Sequence, residues 1–302
     1  MDQLPRLGRS IWEVIPQTTE IYSSLLTQNS KDAILATSRE VANYGPDTRQ
    51  KLDIYAPRKS RTAAPIMVFL YGGAWVEGDR VLGSVPDGLV YRNLGYYFAE
   101  KHGIETIIPD YRLVKHGVKY PSGAEDIALV LKFIRERYGG ERPLFILGNS
   151  AGGVNALSWL LDSAFKGSRD TSNVAGIISL GALMDFADLP APFPDLLAQY
   201  FEEDYVSRSP LALLRSAAPN NRLDGDLPAL LILWSELDPE VITESNHGFV
   251  AQLKQVGIPV DAEEIAGHNH ISPPMALGTG LEIEEEWGQS VVAWTGKHVG
   301  RA

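Results

Sequence analysis

The sequence predicts an α/β fold with a mostly parallel central sheet covered by helices on both faces. Two observations carry this. Near-continuous apolar runs recur at 64–73 (APIMVFLYGG), 104–113 (IETIIPDYRL), 142–150 (RPLFILGNS), 174–183 (VAGIISLGAL) and 228–238 (PALLILWSELD), and strands buried on both faces read this way. Between the runs lie segments of helical period. In 123–140, Ile127, Val130, Leu131 and Ile134 follow i, i+3, i+4, i+7 spacing, and Gly139-Gly140 supply a stop.

The remaining elements fall into place in chain order. Residues 1–45 are amphipathic and poorly patterned, with a helix turn expected at 21–26, and are expected to fold over the body as a cap. A strand is expected at 50–57 and another at 259–267. Helices are expected at 151–165, 243–257 and 281–298. The stretch 185–222, rich in Pro and aromatics, is long for a connection between strand and helix, so a cap or lid insertion is expected there. There is no repeat, low-complexity tract or linker, so 1–302 is expected to be a single domain.

Composition narrows the partners. The net charge of −11 argues against nucleic acid and anionic membranes, which need clustered Lys and Arg. The chain has no Cys, which removes disulfides and thiolate chemistry. No apolar run approaches the roughly 18 residues of a membrane span. The N-terminal MDQLPRLGRSIWEVIP has no apolar core of a secretory signal. A cytoplasmic location is expected, and the sequence is compatible with a homodimer.

Gly148-Asn149-Ser150-Ala151-Gly152 is a G-x-S-x-G placed between an apolar strand and a helix, the setting of a nucleophile elbow. The turn is sharp, so its flanking residues must be small, and Gly148, Ala151, Gly152 and Gly153 are. The bland alternative is a Gly-rich turn with an incidental Ser. Neither phosphate-loop pattern fits the segment.

From about 42 to 275 the chain resembles the hormone-sensitive-lipase-like and kynurenine-formamidase-like branch of the α/β-hydrolases. The likeness runs in order through LDIYAP (52–57), GGAWVEGD (72–79), PDYRL (109–113), the elbow and LILWSELDP (231–239). It implies the α/β-hydrolase fold, with backbone N–H groups of the Gly72-Gly73-Ala74 loop and of Ala151 as the oxyanion hole. Tyr71 stands where the family has His; that residue braces the loop in the family, and here Tyr71 and Trp75 are expected beside the substrate pocket.

A Ser hydroxyl needs a base. The resemblance puts the acid at Asp238, with Glu236 its rival, and the base at His270, which precedes an apolar residue and Ser272 as the family pattern asks; His268 is the rival. Ser272-Pro273 reads as a helix start that anchors His270 and leaves His268 freer. Asp110, Tyr111 and Arg112 are expected to be structural, Asp126 a first-turn helix residue, and the acidic run 282–286 a solvated helix face.

These residues point to a serine hydrolase that cleaves a carboxylic ester or lactone of a small apolar metabolite, with no metal or organic cofactor and a small-molecule acyl substrate as partner. The alternatives are an arylformamidase, a lactone-forming cyclase or acyltransferase using the same residues, and a hydrolase-like small-molecule receptor. Receptors of this fold generally lack one of the three reacting residues; this chain has all of them.

Overall fold

The apolar runs form the middle of one eight-stranded sheet in the order β1-β2-β4-β3-β5-β6-β7-β8. The computed structural model describes residues 3–58, 64–217 and 227–301. The strands are β1 (Glu40–Asn43), β2 (Lys51–Tyr55), β3 (Ile66–Leu70), β4 (Glu105–Pro109), β5 (Leu144–Asn149), β6 (Val174–Leu180), β7 (Ala229–Leu237) and β8 (Asp261–Asn269). β1 and β2 pair antiparallel, and every pairing from β4 to β8 is parallel. Every residue of β3, β5 and β6 is buried. Burial of each Ile, Leu or Phe there contributes roughly 1.5–3 kcal/mol. The outer strands β1 and β8 expose most of their residues and carry charges, which blunts them as sheet edges.

The register aligns the carboxyl ends of these strands. Leu70 pairs with Gly148, Asn149 with Leu180, and Leu237 with Asn269. The carboxyl ends of β3, β5, β6, β7 and β8 therefore converge, where ligands of open α/β sheets bind.

The helices are α1 (Ile11–Asn29), α2 (Lys31–Ala36), α3 (Leu89–Leu94, followed by a π-helical stretch Gly95–Lys101), α4 (Ser122–Tyr138), α5 (Ala151–Leu161), α6 (Phe193–Phe201), α7 (Pro210–Ala217), α8 (Glu240–Gln255), α9 (Ser272–Ala276) and α10 (Glu282–His298). Among the described residues no helix is long and apolar enough to cross a membrane.

The strands and helices expected in the body of the chain appear within a few residues of their expected bounds. The first 45 residues differ: they hold one long helix and an edge strand. α1 was hard to read because its buried face is Val14, Thr18, Tyr22 and Leu26, two of them polar, while Trp12 and Ile15 are exposed and Pro16 lies inside it. Within 185–222, α6 borders a cavity at the carboxyl end of β5 and α7 packs on α5 and α8; residues 218–222 lie outside the described residues.

Two expectations about charge are corrected. The run 282–286 is not a uniformly solvated face, because Glu284 and Glu285 are buried. Tyr22 donates to the Glu284 carboxylate (2.6 Å), and Glu285 accepts from the N–H groups of Gly278 and Gly280 and from Lys101. Asp126 lies beyond the first turn of α4, also buried, accepting from the Arg112 N–H (2.7 Å) and from Gln50 (2.7 Å). In each case polar partners replace the water that the carboxylate loses.

Candidate active site

The elbow follows from sterics. Ser150 follows β5 with φ +51° and ψ −119°, a conformation strained for a residue with a side chain. A Cβ on Gly152 would lie 2.2 Å from the Leu70 carbonyl oxygen, and one on Gly148 would lie 2.5 Å from the Gly152 oxygen. The Ser150 N–H is tied to the Leu180 carbonyl of β6 (2.8 Å). Ser150 thus caps α5 with its hydroxyl held clear of the sheet, and the helix N-terminus favours negative charge beside it.

The loop after β3 comes against this turn. A Cβ on Gly72 would sit 3.0 Å from the Ser150 Cβ, so a side chain there would push the loop off the turn by a few tenths of an ångström. Gly73 has φ +121°, and its carbonyl accepts from Val76 and Glu77. Ala74 and Trp75 follow at φ +50° and +62°. Trp75 holds this tight turn: its indole N–H donates to Asn155 Oδ1 (2.8 Å) and its ring stacks on Tyr200 at 5.1 Å. Gly72, Gly73, Ala74, Trp75 and Ala151 all line the same cavity as Ser150.

Tyr71 does not, and the expectation that it borders the pocket is corrected. Its ring is fully buried behind the loop, against Tyr111 at 4.8 Å and with the backbone of Gly78 packed on its face. Its hydroxyl donates to Asp110 Oδ1 (2.9 Å) and accepts from Arg49 (2.9 Å). Burial, reinforced by Asp110, pushes its pKa well above the ordinary tyrosine value, so it stays a donor. Tyr91, from α3, reaches the cavity instead. Asp110 also binds Arg80, and the Tyr111 hydroxyl donates to the Tyr71 carbonyl (2.9 Å), so this polar cluster braces the loop from behind.

On the other side of Ser150, β7 ends and delivers Asp238. The carboxylate is buried; Oδ2 accepts from the Ser235 N–H (2.7 Å) and Oδ1 lies 2.6 Å from His270 Nδ1. Glu236 is exposed and takes the Gly267 N–H (2.7 Å) instead. His270 Nε2 lies 3.0 Å from Ser150 Oγ. With the carboxylate ionised, the Nδ1 proton points at Asp238 and Nε2 is free to accept from the Ser150 hydroxyl. Gly181, just past β6, packs beside this pair, and its φ of +58° is a left-handed conformation that favours glycine.

His268 is not the freer of the two histidines, which corrects the sequence expectation. It is buried at the end of β8, with Nδ1 2.8 Å from Ser272 Oγ and Nε2 3.9 Å from the Glu284 carboxylate. Burial pushes its pKa down to about 4, opposed in part by Glu284. It is a neutral core residue. Gly181, Ser235 and Asn269 were not singled out from the sequence; only the glycine near the end of the apolar run 174–183 was a usable signal.

The cavity has a volume of about 520 Å³. Ile11, Trp12 and Ile15 of α1 form one wall, and Phe193, Leu196 and Leu197 of α6 form another. The Trp12 and Phe193 rings meet edge-on at 5.4 Å. Val154, Leu183, Ile242 and Met275 add further apolar surface.

Comparison with known proteins fits this picture. The BD-FAE family model matches residues 52–253. Esterase LipC of Mycobacterium tuberculosis is 28% identical over 244 residues, covering 75% of this chain and 58% of its own length. A probable isoprenylcysteine alpha-carbonyl methylesterase of Oryza sativa subsp. japonica is 31% identical over 263 residues, covering 80% of this chain and 61% of its own. The chain therefore spans less than two thirds of the length of these curated relatives. The crystal structure of a thermophilic carboxylesterase cloned from a metagenomic library superposes with a TM-score of 0.69 at 18% identity, covering 96% of this chain and 98% of that one. By its matched residues, strand order and elbow, the chain belongs to the BD-FAE family and has the α/β-hydrolase fold of the hormone-sensitive-lipase-like and kynurenine-formamidase-like branch.

Proposed function

We propose that the protein is a serine hydrolase that cleaves a carboxylic ester or lactone of a small, largely apolar substrate. One observation carries the reading: Ser150, His270 and Asp238 are in continuous hydrogen-bond reach, 3.0 Å and 2.6 Å, beside an apolar cavity. The esterase names of the relatives support it.

The geometry translates into steps. His270 Nε2 takes the Ser150 proton as Oγ attacks the substrate carbonyl. The N–H groups of Gly73, Ala74 and Ala151 receive the oxyanion, with Gly72 letting the loop come close; each such donor contributes roughly 10²–10³ in rate. Asp238 orients His270 and stabilises its cation. The imidazolium returns the proton to the leaving alcohol, and a water activated by His270 then releases the acid. Residues 1–45 and the 185–222 insertion act as the cap of a single domain, and the cytoplasm is the expected location.

The test is a panel of p-nitrophenyl esters of rising chain length, with simple lactones and N-formylkynurenine alongside, plus labelling by a fluorophosphonate. Turnover of the esters and labelling confined to Ser150 are expected. Ester turnover that survives in Ser150→Ala would overturn the mechanism, and preference for N-formylkynurenine would move the substrate from ester to amide.

A further inference from the structure

Asn269 sits between the two histidines, fully buried, and both ends of its side chain are engaged. Its Oδ1 accepts from the N–H groups of Ile271 (3.1 Å) and Ser272 (3.0 Å). The Ser272 hydroxyl oxygen in turn accepts from the Asn269 N–H (3.0 Å). This reciprocal pair closes the 269–272 turn in the manner of a capping box, and His270 is the residue held inside it. The other end reaches far along the chain: Asn269 Nδ2 donates to Thr18 Oγ1 of α1 (2.8 Å), and Thr18 is also fully buried. The same N-terminal segment touches the acid, because the Arg9 guanidinium donates to the Asp238 backbone carbonyl (2.8 Å).

We propose that the N-terminal segment positions the base–acid pair, with Thr18 acting on His270 through Asn269 and Arg9 acting on Asp238 through its carbonyl. Thr18, Asn269 and Arg9 are positioning residues; none touches Ser150 or lines the cavity. The proposal rests on the reading of His270 as base. It gives α1 two roles on two sides. Ile11, Trp12 and Ile15 shape the cavity, while Thr18, one turn beyond Ile15, holds the turn that carries His270. A buried amide donor has no water to fall back on, so losing the Thr18 oxygen frees the Asn269 side chain to seek another partner and loosens the turn. Small displacements of a reacting group are costly in rate.

Full-length variants Thr18→Val, Thr18→Ser, Arg9→Met and Trp12→Ala test this. Thr18→Val keeps the side-chain shape and removes the acceptor; Thr18→Ser keeps the acceptor. Arg9 is exposed, so Arg9→Met leaves the fold intact. With p-nitrophenyl butyrate, Thr18→Val is expected to lower kcat roughly tenfold at little-changed KM, on the ordinary cost of misplacement. Thr18→Ser restores kcat, Arg9→Met lowers it less, and Trp12→Ala raises KM instead. A second readout needs no substrate: the far-downfield proton resonance of the His270 Nδ1–H bonded to Asp238. It is expected to broaden or shift in Thr18→Val and Arg9→Met and to return in Thr18→Ser. The proposal is overturned if either folded variant keeps the parent's kcat and resonance, and should Thr18→Val fail to fold, Arg9→Met decides. If the parent turned over no ester while the resonance followed the variants as expected, the hydrolase reading alone would fall.

Discussion

The elbow around Ser150 and the turn around His270 stand 3.0 Å apart, Oγ to Nε2, and are built on opposite principles. The elbow is local. Gly148, Gly152 and Gly153 admit backbone where any side chain would collide, and β5 and α5 on either side are long enough to hold the strain at Ser150. The His270 turn is assembled from a distance. Its partners are Asp238 from β7, Ser272 and Asn269 from the turn itself, Thr18 and Tyr22 from α1, and Glu284 from α10. Strain needs only small neighbours; orientation of an imidazole needs partners on several sides.

The largest test of this comparison removes the reacting atoms. Ser150→Ala and His270→Ala should each lower turnover by about 10⁶, as when either member of a working Ser–His pair is lost. His268→Gln should retain turnover within about tenfold, because it is not in the reacting line. Steady-state rates with a p-nitrophenyl ester check all three, and equal losses at His268 and His270 would break the distinction between them.

Asp238→Asn should cost about 10⁴ in kcat. The amide would still find Ser235, but it no longer stabilises the imidazolium or selects the tautomer that leaves Nε2 free. A loss of only a few-fold would transfer the role to another carboxylate, with Glu236 the first to examine.

Gly152→Ala tests the local half. Its Cβ would press on the Leu70 carbonyl, so stability should fall by about 3 kcal/mol, the upper end of ordinary overpacking. Urea unfolding midpoints read this directly. A fully stable Gly152→Ala would mean that the elbow has slack that its geometry denies.

The last test concerns pH and belongs to the His270 turn. His268 is lowered from 6.5 to about 4 by burial. The unfolded chain takes up this proton near the ordinary histidine value, and the native protein refuses it until about pH 4. Stability from this residue is therefore complete above the unfolded pKa and falls as the pH drops through the window between the two, by up to about 3 kcal/mol. His268→Gln should flatten the stability profile in that window, measured by unfolding at a series of pH values. A profile with unchanged slope would mean that His268 is protonated in the native protein, paired with Glu284.

The sheet and the elbow were legible because each is written in consecutive residues. The runs at 64–73, 142–150 and 174–183 contain β3, β5 and β6, and the glycines stand beside the serine whose turn they allow. The candidates Asp238 and His270 were separable from Glu236 and His268 in the sequence only through the likeness to a family, since two carboxylates and two histidines stand two residues apart.

Composition and local pattern determined the parallel sheet, the strained serine and its small neighbours, because periodicity and sterics act over a few residues. Only the tertiary structure decided the rest. Tyr71 lies behind the Gly72–Ala74 loop because Asp110 and Arg49 bind its hydroxyl there. Glu284 and Glu285 are interior because Tyr22, Lys101 and two backbone N–H groups wait for them. His268 is core and His270 faces Ser150 because α1 and α10 close on one and β7 on the other. The fate of a polar side chain depends on whether partners are present to replace water, and those partners lie up to 262 residues away in the chain.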